Sequence, residues 1–227
     1  MGNLVSVFFN KTYEYKVNKL LMTNEPLDES LFPREAVINY IKDVCSIPYI
    51  DFLDYLKKNP SSLSFDTSNI TQCSRFENCT TQFCRVYKNI NYSRGLDTKE
   101  LGDLLQIGVA HSSEEGSLRR YGRDQSCAAK QLGLADNNGR LWFMTCLGMV
   151  FLDLSQALQQ SIMARALLRD PFYSRLVFHA LNEDVMLKNW MQDLGSSSIN
   201  RRINYVSNFL KIIIAEAPTG TFHNIIK

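Results

Sequence analysis

Arg119, Arg120, Arg123 and Lys130 crowd into one short stretch of the chain. Arg119 and Arg123 stand four apart, so on a helix they share a face, and Gln125 and Ser126 add polar groups beside them. The chemistry such side chains offer is charge-assisted hydrogen bonding to phosphate oxygens. Arg140 follows directly after Asn138-Gly139, a turn that would place it at a hairpin tip, within reach of a phosphate or a minor groove. A second set, Asn200, Arg201, Asn204 and Asn208 with Arg202 beside them, recurs at helical spacing. Arg and Asn suit bidentate contacts with guanine and adenine edges. Ser196, Ser197 and Ser198 precede that set, and their hydroxyls with the N–H groups of a helix start would hold a backbone phosphate. Each set also reads as a solvated helix face. Arg119 has Glu115 four residues before it, and Arg120 and Arg123 have Asp103 and Asp124 as pairing options.

Catalytic chemistry finds little support. His111, His179 and His223 stand in no metal or triad spacing, and no glycine-rich phosphate loop occurs. Glu14-Tyr15-Lys16 faintly echoes the Glu-x-Lys of metal-dependent nucleases, but no acidic residue precedes it to help hold Mg²⁺. Cys73, Cys79 and Cys84 are separated by five and four residues with no histidine among them, one ligand short of the four a structural zinc site needs. The cysteines therefore read as reduced thiols. No cofactor and no metal are expected.

Composition is that of a globular protein with a core: 45% hydrophobic and 21% charged residues, with a formal net charge of only +2. A polyanion partner must then be met by clustered basic residues rather than by excess charge. The N-terminal residues carry no basic leader or small-residue cleavage site, so no secretory signal is expected, and the Asn-x-Ser/Thr sequons at Asn10, Asn69, Asn78 and Asn91 lose their meaning. Met1-Gly2-Asn3-Leu4-Val5-Ser6 fits the permissive myristoylation pattern. The longest apolar run, Leu141 to Leu152, is too short for a bilayer span. These features predict a cytoplasmic protein with no membrane partner.

The elements that must position the basic residues are mainly helical. Residues 1–90 read as an α+β block of unknown role: a strand within Leu4–Tyr15, helices over Arg34–Val44 and Tyr49–Leu56, and a polar loop from Asn59 to Asn78. Asp97 or Thr98 caps a helix carrying Leu101, Leu104 and Leu105. Ser112 or Ser113 caps the next, which runs to Gln131 and stops at Gly133. A two-residue type I′ hairpin at Asn138-Gly139 follows. Beyond it the pattern predicts helices over Leu154–Arg169, from Pro171, over Glu183–Leu194, and over Ile199–Ala215 with the three serines as cap. Gly195 and the serines would join the last two as a helix-turn-helix. The domains expected are 1–90, 95–152 and 153–227.

The wording from Arg119-Arg120-Tyr121-Gly122 through Lys130-Gln131-Leu132-Gly133-Leu134-Ala135, then Trp142-Phe143-Met144-Thr145-Cys146-Leu147-Gly148, resembles the winged-helix DNA-recognition regions of type IIS-like restriction enzymes and other bacterial defence proteins. A helix ends in Leu-Gly-Leu, a hairpin follows, and Thr-x-x-Gly opens the next helix. The resemblance covers roughly residues 95–215. It implies tandem winged-helix units that bind double-stranded DNA, with the 1–90 block docking a partner protein or a second copy. No nuclease domain is recognisable, so recognition is carried over and cleavage is not. The other reading of the same helices is a protein-interaction module, and an Mg²⁺-dependent nuclease is a third.

Overall fold

Residues 32–58, 70–71, 76–91, 94–106 and 114–227 are described by the structure, a computed structural model. The expected strand within 4–15, Glu14-Tyr15-Lys16, Cys73 and the serines 112 and 113 lie outside those residues. The described chain is mainly helical, with a small antiparallel hairpin. Its elements are α1 Arg34–Ser46, α2 Tyr49–Lys58, α3 Thr81–Ile90, α4 Thr98–Leu105, α5 Glu115–Gln131, β1 Ala135–Asn137, β2 Trp142–Met144, α6 Cys146–Val150, α7 Gln156–Leu167, α8 Pro171–Ala180, β3 Val185–Met186, α9 Ser196–Ala215 and β4 Ile225–Ile226.

Two compact units emerge, and each is assembled from two stretches of chain rather than from one contiguous block. The first holds described residues 32–44 and 76–156, and the second 45–58, 70–71 and 157–227. This differs from the contiguous division at 90–95 and 152–153. The physical reason is that α2, read as part of an N-terminal block, surrounds a side chain of α7.

In the first unit, α4 begins with a complete capping box. Asp97 Oδ1 accepts from the amides of Lys99 (2.7 Å) and Glu100 (2.9 Å), and Glu100 Oε2 accepts from the Asp97 amide at 3.2 Å. The α4 and α5 helices then cross with their backbones in contact. A Cβ on Gly122 would lie 1.9 Å from the Thr98 carbonyl oxygen, and one on Gly102 would lie 2.2 Å from that of Leu118. Only glycine at both positions lets the axes come this close. Beneath the crossing, Phe83, Cys84 and Tyr87 of α3 are fully buried, and the Tyr87 hydroxyl donates to the Trp142 carbonyl at 2.7 Å. Helix α3 was not expected: the polar stretch ending at Asn78 was read as loop, yet Phe76–Cys79 forms a 3₁₀ turn and α3 follows directly.

Helix α5 ends in a Schellman motif, with Leu134 N–H on the Ala129 carbonyl (2.8 Å), Gly133 N–H on that of Lys130 (2.9 Å) and Gly133 at φ 76°. The hairpin forms as read, but its turn is not the two-residue type I′ expected. The strands end at Asn137↔Trp142, the Asn138 amide still donates to the Leu141 carbonyl at 3.2 Å, and within 138–141 only Gly139 has positive φ, at 91°. Asn138 stays at negative φ because its Oδ1 accepts from the amides of Arg140 (3.2 Å) and Leu141 (3.0 Å), an arrangement that closes the loop by side chain. Thr145 caps α6 by accepting from the Gly148 amide at 3.0 Å while donating to the Gly133 carbonyl at 2.6 Å. Thr-x-x-Gly thus ties the hairpin's exit to the end of α5.

The second unit is organised around Arg165, which is 4% exposed. Its guanidinium donates to the Ile47 carbonyl (2.8 Å) and Ser161 Oγ (2.5 Å), faces Glu216 at 3.5 Å, and sits over the rings of Tyr49 (5.3 Å) and Phe52 (5.5 Å). A buried cation is tolerated only when so surrounded. Asp170 caps α8 with Pro171 at its first position, as the sequence predicts. Two expectations fail here. Residues 183–194 are not an α-helix: Val185 and Met186 pair in parallel with Ile225 and Ile226, and Leu187–Met191 forms a 3₁₀ turn. Long-range backbone bonds override the local helical pattern, with Val185 N–H on the Asn224 carbonyl at 2.8 Å. Nor do Ser196–Ser198 cap α9, because the helix starts at Ser196 and Gly195 is the cap. The expected helix-turn-helix around Gly195 therefore lacks its first α-helix.

Gly122→Ala should cost at least about 2 kcal/mol, because a backbone oxygen has to move. Gly116→Ala, on the same helix with open space around it, should raise stability by up to about 1 kcal/mol. Chemical denaturation of both variants reads the difference. The Glu100 amide above all, then that of Lys99, holds the Asp97 carboxyl below its usual range against the opposing effect of burial. The capping stabilisation is therefore present above the ordinary aspartate value of about 3.9 and is lost as pH falls through the depressed one. Asp97→Asn, which caps without titrating, should flatten the acid limb of a stability–pH curve.

Candidate nucleic-acid interface

Helix α5 turns one side inward, burying Leu118, Gly122, Gln125, Ser126, Ala128 and Ala129. Ser126 satisfies its hydroxyl on the Gly122 carbonyl at 2.7 Å. The opposite side presents Arg119, Arg123 and Lys130 within about 40° of arc, with Arg120 at its margin. Arg119, Arg120 and Arg123 are exposed, and so is Arg140 in the hairpin loop. The sequence reading placed Arg119 and Arg123 on one helix face and Arg140 in a hairpin loop, and these three are exposed on α5 and in the loop 138–141.

Their electrostatic states differ. Arg119 donates through Nε (2.9 Å) and Nη2 (2.8 Å) to the same oxygen of Glu115. Arg123 faces Asp124 at 3.6 Å, beyond hydrogen-bond range. Asp103, the other pairing option, is taken by Lys99 at 3.0 Å. Lys130 behaves differently from the arginines. Its ammonium lies 2.7 Å from Asp136 Oδ1, and the Asp136 side chain is 4% exposed. A carboxylate that deep needs a compensating cation, so Lys130 holds α5 to β1 rather than standing ready for a ligand. Arg120 and Arg140 form no ion pair among the described residues.

The second cluster lies on α9, in the other unit. Arg201 folds back on its own helix, donating to the Ser197 carbonyl at 3.3 Å and to Ser198 Oγ at 3.4 Å. Asn204 accepts from Lys227 Nζ at 3.0 Å, and Asn200 is exposed. Arg202 is half-buried on the side of α9 that turns toward Ile203 and Val206. Aromatic residues that could offer stacking faces to bases sit in or against the packed interior. Trp142 and Phe143 are buried, and Trp190 is half-buried with its ring edge-on to His179, centroids 5.5 Å apart. Tyr121 is half-buried, its hydroxyl accepting from Asn78 Nδ2.

Among the described residues no group of His, Cys, Asp and Glu is arranged to hold a metal, and no helix is long and apolar enough to cross a membrane. Cys79 and Cys84 are buried thiols, and burial pushes the Cys84 thiol well up from its ordinary range. Sequence reasoning missed Asp136 as the partner of Lys130. The only signal was its place in β1, where alternation and a hairpin flank made it look exposed. No family model, curated protein or solved structure matches the chain.

Lys130→Met should destabilise the fold by about 1–3 kcal/mol by stranding the Asp136 carboxylate. Arg120→Ala should leave the denaturation midpoint unchanged. Equal effects from the two substitutions would contradict the division of roles.

Proposed function

We propose that this chain binds duplex DNA, with α5 as the reading helix and the loop 138–141 as a wing. The observation that carries this reading is one exposed basic side of α5, Arg119, Arg120 and Arg123, followed by a hairpin whose loop exposes Arg140. The order α4, α5, glycine stop, hairpin is that of a winged helix, in which the second helix enters a major groove and the wing touches the backbone. Arginine forks suit both phosphate oxygens and guanine edges. The weak net charge fits a partner held at a few positions rather than by a broad field. In this reading the α9 cluster, Ser198, Asn200, Arg201, Arg202 and Asn204, supplies further contacts. The setting we propose is recognition within a bacterial restriction, defence or regulatory system.

A second reading rests on a specific observation. The pairs Arg119–Glu115, Arg123–Asp124 and Lys130–Asp136 partly neutralise the basic side, as on a solvated or protein-binding surface. Salt dependence separates the two. Each phosphate contact releases counterions and contributes about −0.9 to the slope of log affinity against log salt. For a labelled random duplex, affinity should fall roughly tenfold or more between about 50 and 200 mM salt. Arg120→Ala/Arg140→Ala should weaken binding and make the slope shallower by about 2. No binding at low salt would sink the DNA reading in favour of a protein-interaction module.

A further inference from the structure

We infer that Glu115 is a built-in mask on Arg119, occupying the guanidinium edge that a DNA phosphate would take; the inference rests on the DNA-binding reading. The geometry is specific. Both Nε and Nη2 of Arg119 converge on one Glu115 oxygen, at 2.9 and 2.8 Å, so the two donors along that edge of the guanidinium are already taken. The pair is solvent-facing, with side chains 49% and 62% exposed, so nothing in the fold requires it for burial. The Asp97 carboxylate at the head of α4 adds to the negative field on the same guanidinium, which lies above its ordinary range through the Glu115 hydrogen bond first. Arg123 offers the contrast: its acidic neighbour stands 3.6 Å away, too far to close the fork.

A phosphate reaching Arg119 must displace the Glu115 carboxylate before it gains the contact. In the native chain the contact from Arg119 is therefore weakened by the exchange with Glu115, while Arg120, Arg123 and Arg140 meet no such close partner among the described residues. Neutralising Glu115 frees the Arg119 guanidinium and leaves it on the exposed side of α5, four residues before Arg123.

The experiment is fluorescence anisotropy of the full chain on a fluorescein-labelled duplex of random sequence across a salt series. It compares the native chain with Glu115→Gln, Arg119→Ala and the double variant, each checked for an unchanged circular-dichroism melt. Glu115→Gln should bind about two- to fivefold tighter at low salt, the size of one released exposed ion pair. Its salt slope should steepen by about 0.9, one added phosphate contact. The gain should depend on Arg119, so the double variant should bind no tighter than Arg119→Ala. Unchanged affinity of Glu115→Gln beside a binding native chain would overturn the mask and leave the DNA reading standing. A gain that persists in the double variant would overturn it too, because Glu115 would then act as a bare repelling charge. Failure of every variant to bind at low salt would overturn both.

Discussion

The backbone contact between α4 and α5 at Gly102 and Gly122 sets the geometry of the first unit. With no side chain between them, the two helices approach until a carbonyl oxygen of each faces the other's glycine. That approach fixes which side of α5 is inward, and so which side shows Arg119, Arg120 and Arg123 to solvent. The end of α5 is fixed locally, at Gly133. From that end the Schellman turn at Gly133 and the Thr145 cap launch the hairpin and recover the chain after it. The loop bearing Arg140 is thus held to the same frame as the helix. A substitution at the crossing would disturb the packing of α4 against α5, whereas one on the exposed side would disturb only the surface.

Much of this was legible in the residues. Asp97 before a leucine-rich period, Gly133 after a helical one, and Asp170-Pro171 each specify a helix end by local chemistry that needs no tertiary partner, and each end stands where it was read. What failed depended on distant residues. The stretch 183–194 has helical periodicity, but its backbone groups find partners at 224–226, and a pattern rule cannot see them. Helix α3 did carry a signal, with Phe83, Tyr87 and Ile90 at helical spacing, hidden by the Ser, Thr and Asn residues before it. The glycine pair left no trace in periodicity, because close approach is a property of two helices together.

The basic side of α5 was legible as residues but not as states. Five cations, four on the helix and one in the loop, look equivalent in sequence, yet their surroundings differ. Lys130 is committed to a buried carboxylate, Arg119 is engaged by Glu115, Arg123 is loosely matched, and Arg120 and Arg140 form no ion pair among the described residues. The distinction comes from burial. An ion pair with a buried partner is hard to give up, while an exposed one exchanges readily with a ligand's charge. Arg165, in the other unit, is the extreme case, a buried cation held among carbonyls, a hydroxyl, the Glu216 carboxylate and aromatic faces.

The central claim is that the exposed side of α5 and the loop 138–141 form one DNA-contacting surface. Amide hydrogen exchange of the full chain, with and without a short duplex at low salt, tests it most directly because it reports position as well as binding. The account predicts added protection concentrated in peptides covering the hairpin loop and the exposed side of α5, with the α2 and α7 peptides around Arg165 unchanged. Protection confined to other segments, or none while DNA is bound, would contradict it.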